Sequence, residues 1–422
     1  MEIIVNAWGK KVAKLKELNG ISFFSFAPDC TQDFSPIKMP TKGKTYEFSH
    51  LPYQRGLPGL INDSLPGVYG KEFLNDFFMK HFKYTPSYLE TLQFLGENTM
   101  GALSFEPELE KKEKRSSLIL DATELYSQTK AALMGESDFS IKEVIAISNS
   151  AASGARPKAI VGFNQDTKKM FVSPKYKALP DGYKHSIVKF DNLLYKSNVK
   201  NISEQETYSQ TTAEYLYSLV AREVGINMPN THLVELDGHF HFVVERFDIA
   251  LNNSQLERYH MHSLSGLMHQ NPAETTFDYT NLFRVGDRLN IPHQDKVQFF
   301  KTMIFNWIFA NKDDHTRNFS YLMDSDGKWR GSPVYDLTFS TNAKHQMMFN
   351  YTNGYDLKRK DVVKIGEEFG LNGAEDMIDM MMEAKHNYLS SLCSEYNMKN
   401  WYEDILHATK KVDENAKRSV KL

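Results

Sequence analysis

Residues 311–320 read Asn311-Lys312-Asp313-Asp314-His315-Thr316-Arg317-Asn318-Phe319-Ser320, and Asp336, within Tyr335-Asp336-Leu337, follows 18 residues beyond Asn318. This series constrains the chain more than any other. The segment before it, Asp295 to Ala310, carries Phe299, Met303 and Trp307 on one helical stripe and Phe300, Ile304 and Ile308 on the next. Such a pattern predicts a largely buried helix, so the loop it launches is rigidly placed. Past Ser320, the runs Phe319 to Met323 and Lys328 to Trp329 flank Asp324-Ser325-Asp326-Gly327, whose Asp-Gly pair favours a tight hairpin that returns Asp336 toward Asn318.

An acid, an amide five residues later and a second acid beyond a hairpin form the set that moves a phosphoryl group. That reaction needs a carboxylate to orient the attacking hydroxyl and oxygen ligands to hold Mg²⁺ against the phosphates. Asp313 suits the first task. Asn318 and Asp336 suit the second, because Mg²⁺ takes hard oxygen ligands and keeps several waters. Short motifs also match by chance, as polar loops with solvated acids; here the buried helix in front favours the functional reading.

The rest of the chain fits a two-lobed enzyme. Its 422 residues, 41% of them hydrophobic, suffice for two or three domains. A net charge of −3 gives no drive toward nucleic acid. Cys30 and Cys393 are too few for a disulfide framework or a zinc site and suit a reducing cytosol. The N-terminus does not read as a secretory signal, and no run approaches the ~20 apolar residues of a membrane span. A cytoplasmic protein without membrane partners is expected.

Residues 1–26 read as strands, Lys71 to Phe82 and Pro86 to Leu95 as helices, and Gly101 to Phe105 as a strand. The charge-dense stretch Glu106 to Arg115 reads as a linker. Helices are expected over Asp121 to Gly135 and Ser140 to Ile147, then strands over Ala159 to Phe163, Lys169 to Val172 and His185 to Phe190. A helix over Glu204 to Val224 precedes a hairpin turning at Asp237-Gly238, and from Glu257 onward the chain reads as mostly helical. The fold class is therefore α+β: a bilobal protein-kinase-like fold with a small N-terminal α/β domain (1–110), a nucleotide-binding small lobe (118–248) and a mostly helical large lobe with the catalytic loop (249–422).

Three further segments bear on a nucleotide. Ser153-Gly154-Ala155-Arg156-Pro157-Lys158 is a small-residue loop before a strand, of the kind that lets backbone N–H groups approach phosphates. Lys189 lies on the strand His185 to Phe190; a strand lysine is usually just exposed, but Glu214 on the following helix could pair with it in the lysine and glutamate arrangement of kinases. Val243-Val244-Glu245-Arg246-Phe247-Asp248 falls where a hinge would meet adenine.

In this order the motifs resemble the HipA family of bacterial toxin Ser/Thr kinases. His260-Met261-His262-Ser263-Leu264-Ser265-Gly266-Leu267 and Pro333 to Ser340 extend the match, and Leu57-Pro58-Gly59, Asp63-Ser64-Leu65-Pro66 and Met100 to Pro107 look like the family's N-terminal domain. The resemblance implies an ATP- and Mg²⁺-dependent kinase of a protein target, translation-related, such as an aminoacyl-tRNA synthetase. It implies Asp313 as base, Asn318 and Asp336 as metal ligands, and His315 and Arg317 as loop supports. Ser153, Gly154, Ala155, Arg156, Lys158 and Lys189 would face phosphates, with Glu214 beside Lys189 and Glu245 and Phe247 on the adenine side. It also implies a HipB-like antitoxin that supplies any contact with DNA.

Two departures stand out. The family's usual lysine before the amide is Arg317, which keeps the charge and alters its geometry. The serine that self-inactivating members phosphorylate, three residues before Gly154, is Ala151, so that control is missing or moved to Ser150 or Ser153. The pairs His239/His241 and His260/His262 have same-face spacing for a metal but no further ligands nearby. Rival readings are a small-molecule or lipid kinase and a catalytically silent corepressor partner of a DNA-binding antitoxin. Intact Asp313, Asn318, Asp336 and Lys189 speak against the second.

Overall fold

A computed structural model describes residues 1–41, 44–108, 118–121, 124–127, 130, 158–172, 179–191, 208–252, 255–342 and 344–418. The chain divides into two compact units, one of Met1–Gln205, Asn230–His269 and Leu322–Lys328, the other of Glu206–Pro229, Gln270–Tyr321 and Trp329–Leu422.

Strand alternation builds the first unit. β1 (Glu2–Ala7), β2 (Lys10–Leu18), β3 (Ile21–Phe26), β4 (Thr45–Glu47) and β5 (Leu103–Glu106) form an antiparallel sheet in the order β4-β3-β2-β1-β5. Every second residue of β1, Ile3, Val5 and Ala7, is buried, as a half-buried strand requires. Asn19 and Gly20 both take positive φ, 51° and 77°, the type I′ geometry whose twist matches the strands it joins. A short helix α1 (Gly59–Asn62) and the longer α2 (Val68–Phe82) follow, then α3 (Tyr88–Leu95). Ser87 and Glu90 close a reciprocal capping box at the start of α3, at 3.2 and 2.8 Å.

The second sheet of this unit runs β10-β11-β9-β7-β8-β6, with β6 (Leu118–Asp121), β7 (Lys158–Phe163), β8 (Lys169–Val172), β9 (Lys184–Lys189), β10 (Thr231–Leu236) and β11 (His239–Glu245). Asp121 ends a strand rather than opening a helix, since its short apolar run carries no periodicity to separate the two. The expected Asp237-Gly238 hairpin is present, with φ of 50° and 73°. One face of the sheet, bearing Ala159, Val161, Val188 and Val243, packs on Phe73, Phe77 and Phe78 of α2 and Phe94 of α3. Beyond the hairpin of β12 (Ile249–Asn252) and β13 (Gln255–Arg258) come β14 (His260–Ser263) and α5 (Leu264–Met268).

Residues of the N-terminal stretch hold β14 and α5 through side-chain bonds and close backbone approach. Asp63 accepts hydrogen bonds from His262 Nδ1 at 2.7 Å and from the Ser263 amide and hydroxyl at 2.8 Å, while Ser35 Oγ lies 3.0 Å from His262 Nε2. Gly59 approaches Gly266 so closely that a Cβ on it would meet the Gly266 carbonyl oxygen at 2.1 Å. His260 Nε2 sits 2.9 Å from Phe34 O, and His241 Nδ1 accepts the Asp191 amide at 2.9 Å. Burial pushes His241 down to about 4 and His260 to about 3, so both rings are neutral packing elements. Among the described residues no cluster of three or more His, Cys, Asp or Glu could hold a metal, and no helix is long and apolar enough to cross a membrane.

The second unit is mostly helical. It comprises α4 (Gln210–Glu223), the short β15 (Phe277–Asp278), α6 (Tyr279–Arg288), α7 (His293–Ile308), β17 (Trp329–Gly331), β18 (Met347–Met348), α8 (Arg359–Glu368), α9 (Ala374–Ala384), α10 (Ser390–Glu395) and α11 (Lys399–Ala416). Between α7 and β17 the chain passes through β16 (Ser320–Met323). The six apolar residues on the two stripes of α7 are all buried, at 2% exposure or less.

Candidate active site

The loop after α7 is held from behind. Ala310 takes φ of 52°, a left-handed conformation that stops the helix without a glycine, and its carbonyl accepts the amides of Lys312 at 3.0 Å and Ser340 at 3.2 Å. Asn311 Nδ2 donates to Asn306 Oδ1 at 2.9 Å, Asn306 Nδ2 donates to Tyr279 Oη at 2.9 Å, and Tyr279 Oη donates to Asp314 Oδ2 at 2.8 Å. Asp314 is buried and also accepts His345 Nδ1 at 2.9 Å and the Gln346 amide at 2.7 Å. Burial, with the Asp314 charge beside it, raises the Tyr279 phenol well above its ordinary range, so it stays a donor. Groups from α6, α7 and the 345–346 segment thus fix the Asp314 carboxylate.

Asp313 faces the other way. It is half-buried, and Gln346 Nε2 donates to its Oδ1 at 2.8 Å. Burial raises its pKa above the ordinary aspartate value; His315 works against that shift, whereas the charges of Asp336 and Asp314 add to it. The Asp336 charge thus acts on Asp313. The return of the chain after Ser320 is anchored by the Ser332 amide on Ser320 O at 3.0 Å, and Asp324 Oδ1 closes the intervening turn by accepting the amides of Asp326 and Lys328 at 3.0 and 2.9 Å. Asp336 itself takes φ of 59°. Tyr335 Oη donates to Arg317 O at 2.7 Å, tying the second acid's neighbour to the loop.

Asn318 Nδ2 donates to the Asp313 carbonyl at 2.8 Å, which turns its Oδ1 away as an acceptor. Asn318 Oδ1 and the Asp336 carboxylate are hard oxygens beside crowded negative charge, a donor set that fits Mg²⁺. In the same loop Asn311 Oδ1, His315 Nδ1, Thr316 Oγ1 and Arg317 Nε are buried without a hydrogen-bond partner among the described residues. Native proteins hold few such atoms, and their grouping here marks a site built for more than packing.

In the first unit, strand alternation leaves Lys158 and Lys189 on the sheet face opposite the Ala159, Val161 and Val188 core. They are register partners on β7 and β9, both buried, and Lys189 Nζ lies 5.8 Å from the Phe242 ring centre. Two lysines at paired register positions on one sheet face suit phosphate oxygens. The segment Glu245 to Asp248 splits by function: Glu245 and Phe247 are half-exposed and Glu245 accepts Asn230 Nδ2 at 3.1 Å, whereas Arg246 and Asp248 are buried against each other at 3.0 and 2.7 Å. Asp248 also accepts the Gly101 amide at 2.7 Å, and Arg246 donates to Thr99 O at 3.2 Å, so this buried pair is tied to the 99–101 segment. Glu214, in the second unit, is buried on α4. Ser150, Ala151, Ser153, Gly154, Ala155 and Arg156 lie outside the described residues.

Sequence reasoning missed Asp314, Tyr279, Asn306, His345 and Gln346. Asp314 stood inside the motif without a role, and the others are scattered at separations that no local pattern signals.

Residues 3–106 match the model of the HipA N-terminal domain and residues 150–389 that of the HipA-like C-terminal domain. A Haemophilus influenzae protein with a provisional kinase name is 24% identical over 179 residues, which are 39% of this chain and 50% of that protein, so the match spans about half of the relative's length. A chain of the Shewanella oneidensis MR-1 toxin–antitoxin complex of HipA, HipB and operator DNA superposes with a TM-score of 0.66 at 15% identity, covering 98% of this chain and 96% of its own. That likeness shows the α+β, protein-kinase-like fold. Since the second domain model alone takes in more than half of the sequence, with the Asp313 loop inside it, the chain belongs to the HipA family.

Proposed function

We propose that the chain is an ATP- and Mg²⁺-dependent Ser/Thr protein kinase of the HipA toxin class. The observation that carries the reading is the loop itself, in which Asn318 is clipped to the Asp313 backbone through its Nδ2 and Asp336 acts electrostatically on Asp313. Asp313 accepts the proton of a substrate hydroxyl; its raised pKa suits a base that must take and release a proton. Gln346 orients that carboxylate, and His315 counters part of the rise in its pKa. Asn318 and Asp336 would hold Mg²⁺, which neutralises phosphate charge when bound. Lys158 and Lys189, with Ser153, Gly154, Ala155 and Arg156, bind the phosphates, and Glu245 and Phe247 meet adenine. The division into 1–110, 118–248 and 249–422 belongs to the same proposal.

The Shewanella neighbour was solved with HipB and operator DNA, which supports a HipB-like antitoxin as partner and indirect contact with DNA. A translation-related protein, such as an aminoacyl-tRNA synthetase, is the proposed target. The test is phosphoproteomics after expression of the chain beside Asp313→Ala, with purified protein assayed for nucleotide binding. New phosphoserine or phosphothreonine only with the parent chain is expected. In addition, Asp336→Asn should weaken ATP binding with Mg²⁺ far more than in EDTA; identical phosphoproteomes, or equal weakening in both conditions, would refute the assignment.

A further inference from the structure

Asn350 and Tyr351 form a two-residue turn closed by Phe349 and Thr352, whose amides donate to each other's carbonyls at 2.8 and 3.1 Å. Both turn residues are left-handed, with φ of 49° and 64°, the type I′ pattern that favours Asn in the first place and Gly in the second. Asparagine fits its place. Tyrosine in the second place is strained, because a bulky side chain rarely adopts positive φ, and strain of this kind gathers at functional surfaces. Packing does not explain it. Tyr351 is 77% exposed, the most of any large hydrophobic residue among those described, and its side chain forms no hydrogen bond or ring contact with another described residue.

The turn is fixed to the same groups as the Asp313 loop. The Tyr351 amide donates to Asp278 Oδ2 at 2.7 Å, Asp278 Oδ1 caps α6 by accepting the Thr280 amide at 2.8 Å, and the adjacent Tyr279 holds Asp314. In β18, Met348 stands opposite Asp278 of β15. Met347 and Phe349 are buried, so strand alternation puts Gln346 and half-buried Met348 on the other face, and Gln346 is the residue that reaches Asp313 Oδ1. That face leads from the Asp313 carboxylate to the turn that bears Tyr351. The three extended steps from Gln346 to Phe349 span ~10 Å, and the five to Tyr351 at most ~17 Å.

We infer that Tyr351, together with Met348 on the strand before it, is a docking site for an apolar side chain of the protein substrate, three to five residues from the target serine. The inference rests on the protein-kinase reading for the identity of that partner. An extended peptide whose serine meets Asp313 covers the span to Tyr351 in that number of residues. A tyrosine ring offers a large contact area at low entropic cost, and methionine adapts to varied apolar shapes. Residues 346–354 carry no charged side chain, so an apolar occupant fits this strip better than an ionic one.

The test uses the full chain and two fluorescent peptides with a central serine, one carrying leucine at the third, fourth and fifth positions on either side and one carrying glutamine there. Anisotropy should show the leucine peptide binding about tenfold more tightly, the effect of burying roughly half of one leucine side chain. Tyr351→Gly suits the turn better than tyrosine does, so it should unfold no earlier than the parent and still bring the ratio toward one. Tyr351→Asn, which also accepts positive φ, should do the same, and Tyr351→Phe should retain the ratio. Equal binding of the two peptides by the parent, or an undiminished ratio in Tyr351→Gly, overturns the docking site. So does tighter binding of a peptide with arginine in place of leucine, which would make the ring a cation site. Transfer from radioactive ATP reads the kinase assignment separately. A leucine preference in a chain that labels neither these peptides nor a total protein extract keeps the docking site and removes the kinase, whereas labelled serine without the preference does the reverse.

Discussion

Tyr279→Phe tests whether the loop is positioned through the polar chain behind it. The change removes one hydroxyl from a fully buried ring, so it creates almost no cavity. It does remove two hydrogen bonds: the donor to Asp314 Oδ2 and the acceptor of Asn306 Nδ2. A buried donor left unmatched costs ~1–3 kcal/mol, and a bond to a charged acceptor is worth ~1.5–3 kcal/mol. Because Asp314 keeps His345 and the Gln346 amide, the sum lies toward the lower end, about 3 kcal/mol. Tyr321→Phe is the internal control, since Tyr321 is equally buried and its hydroxyl donates at 2.6 Å to the Leu282 carbonyl, a neutral acceptor, for about 1 kcal/mol. At ~2–4 °C per kcal/mol for a domain of this size, thermal unfolding should place the Tyr279 variant several degrees below the Tyr321 one. Phosphotransfer should fall in the Tyr279 variant alone, with ATP affinity unchanged. A double-mutant cycle with Asp314→Asn should give a coupling of at least about 1 kcal/mol. Equal unfolding temperatures for the two phenylalanine variants, or additive effects in the cycle, would refute the positioning role.

Asp313→Asn should reduce phosphotransfer by about 10²- to 10⁴-fold and at the same time raise the unfolding temperature at neutral pH. The sign follows from a pKa raised on folding: such an acid stabilises fully below its unfolded pKa and loses that contribution as pH rises through its folded value, so at neutral pH its charge is a liability the amide removes. By the same shift the parent's activity should decline on acidification at a pH above the ordinary aspartate value, read from a pH–kcat profile. Asp248→Ala leaves buried Arg246 uncompensated and should cost about 3–5 kcal/mol, measured by denaturant unfolding; a loss under 1 kcal/mol would contradict the pairing. Ala151→Ser should introduce a phosphosite and progressive self-inactivation on incubation with ATP, followed by mass spectrometry and a time course, because phosphate there would repel nucleotide. Self-inactivation of the parent through Ser150 or Ser153 would show that the switch has moved.

What the sequence discloses about this chain is what acts over short range. The Asn19-Gly20 and Asp237-Gly238 turns, the Ser87/Glu90 box and the stripes of α7 are each fixed by neighbours within about four residues, and each forms as its residues dictate. The adjacent acids Asp313 and Asp314 mark where that legibility stops. Neighbouring side chains in an extended loop point to opposite sides, so one acid must face inward, and nothing in Lys312-Asp313-Asp314-His315 tells which. The answer depends on Tyr279, 35 residues back, and on His345 and Gln346, more than 30 residues ahead. Tyr279 and His345 bind the second acid, whereas Gln346 offers its backbone to Asp314 and its side chain to Asp313. The left-handed Ala310 is hidden for the same reason: alanine does not signal positive φ, and it is held there by its surroundings rather than by its own preference. Arg246 and Asp248 show the converse, charges that read as part of a functional motif yet serve to hold Gly101 and Thr99. Residue type at a given spacing thus identifies the chemistry available to this site, while the roles of individual acids and bases are assigned by partners that only the fold brings together.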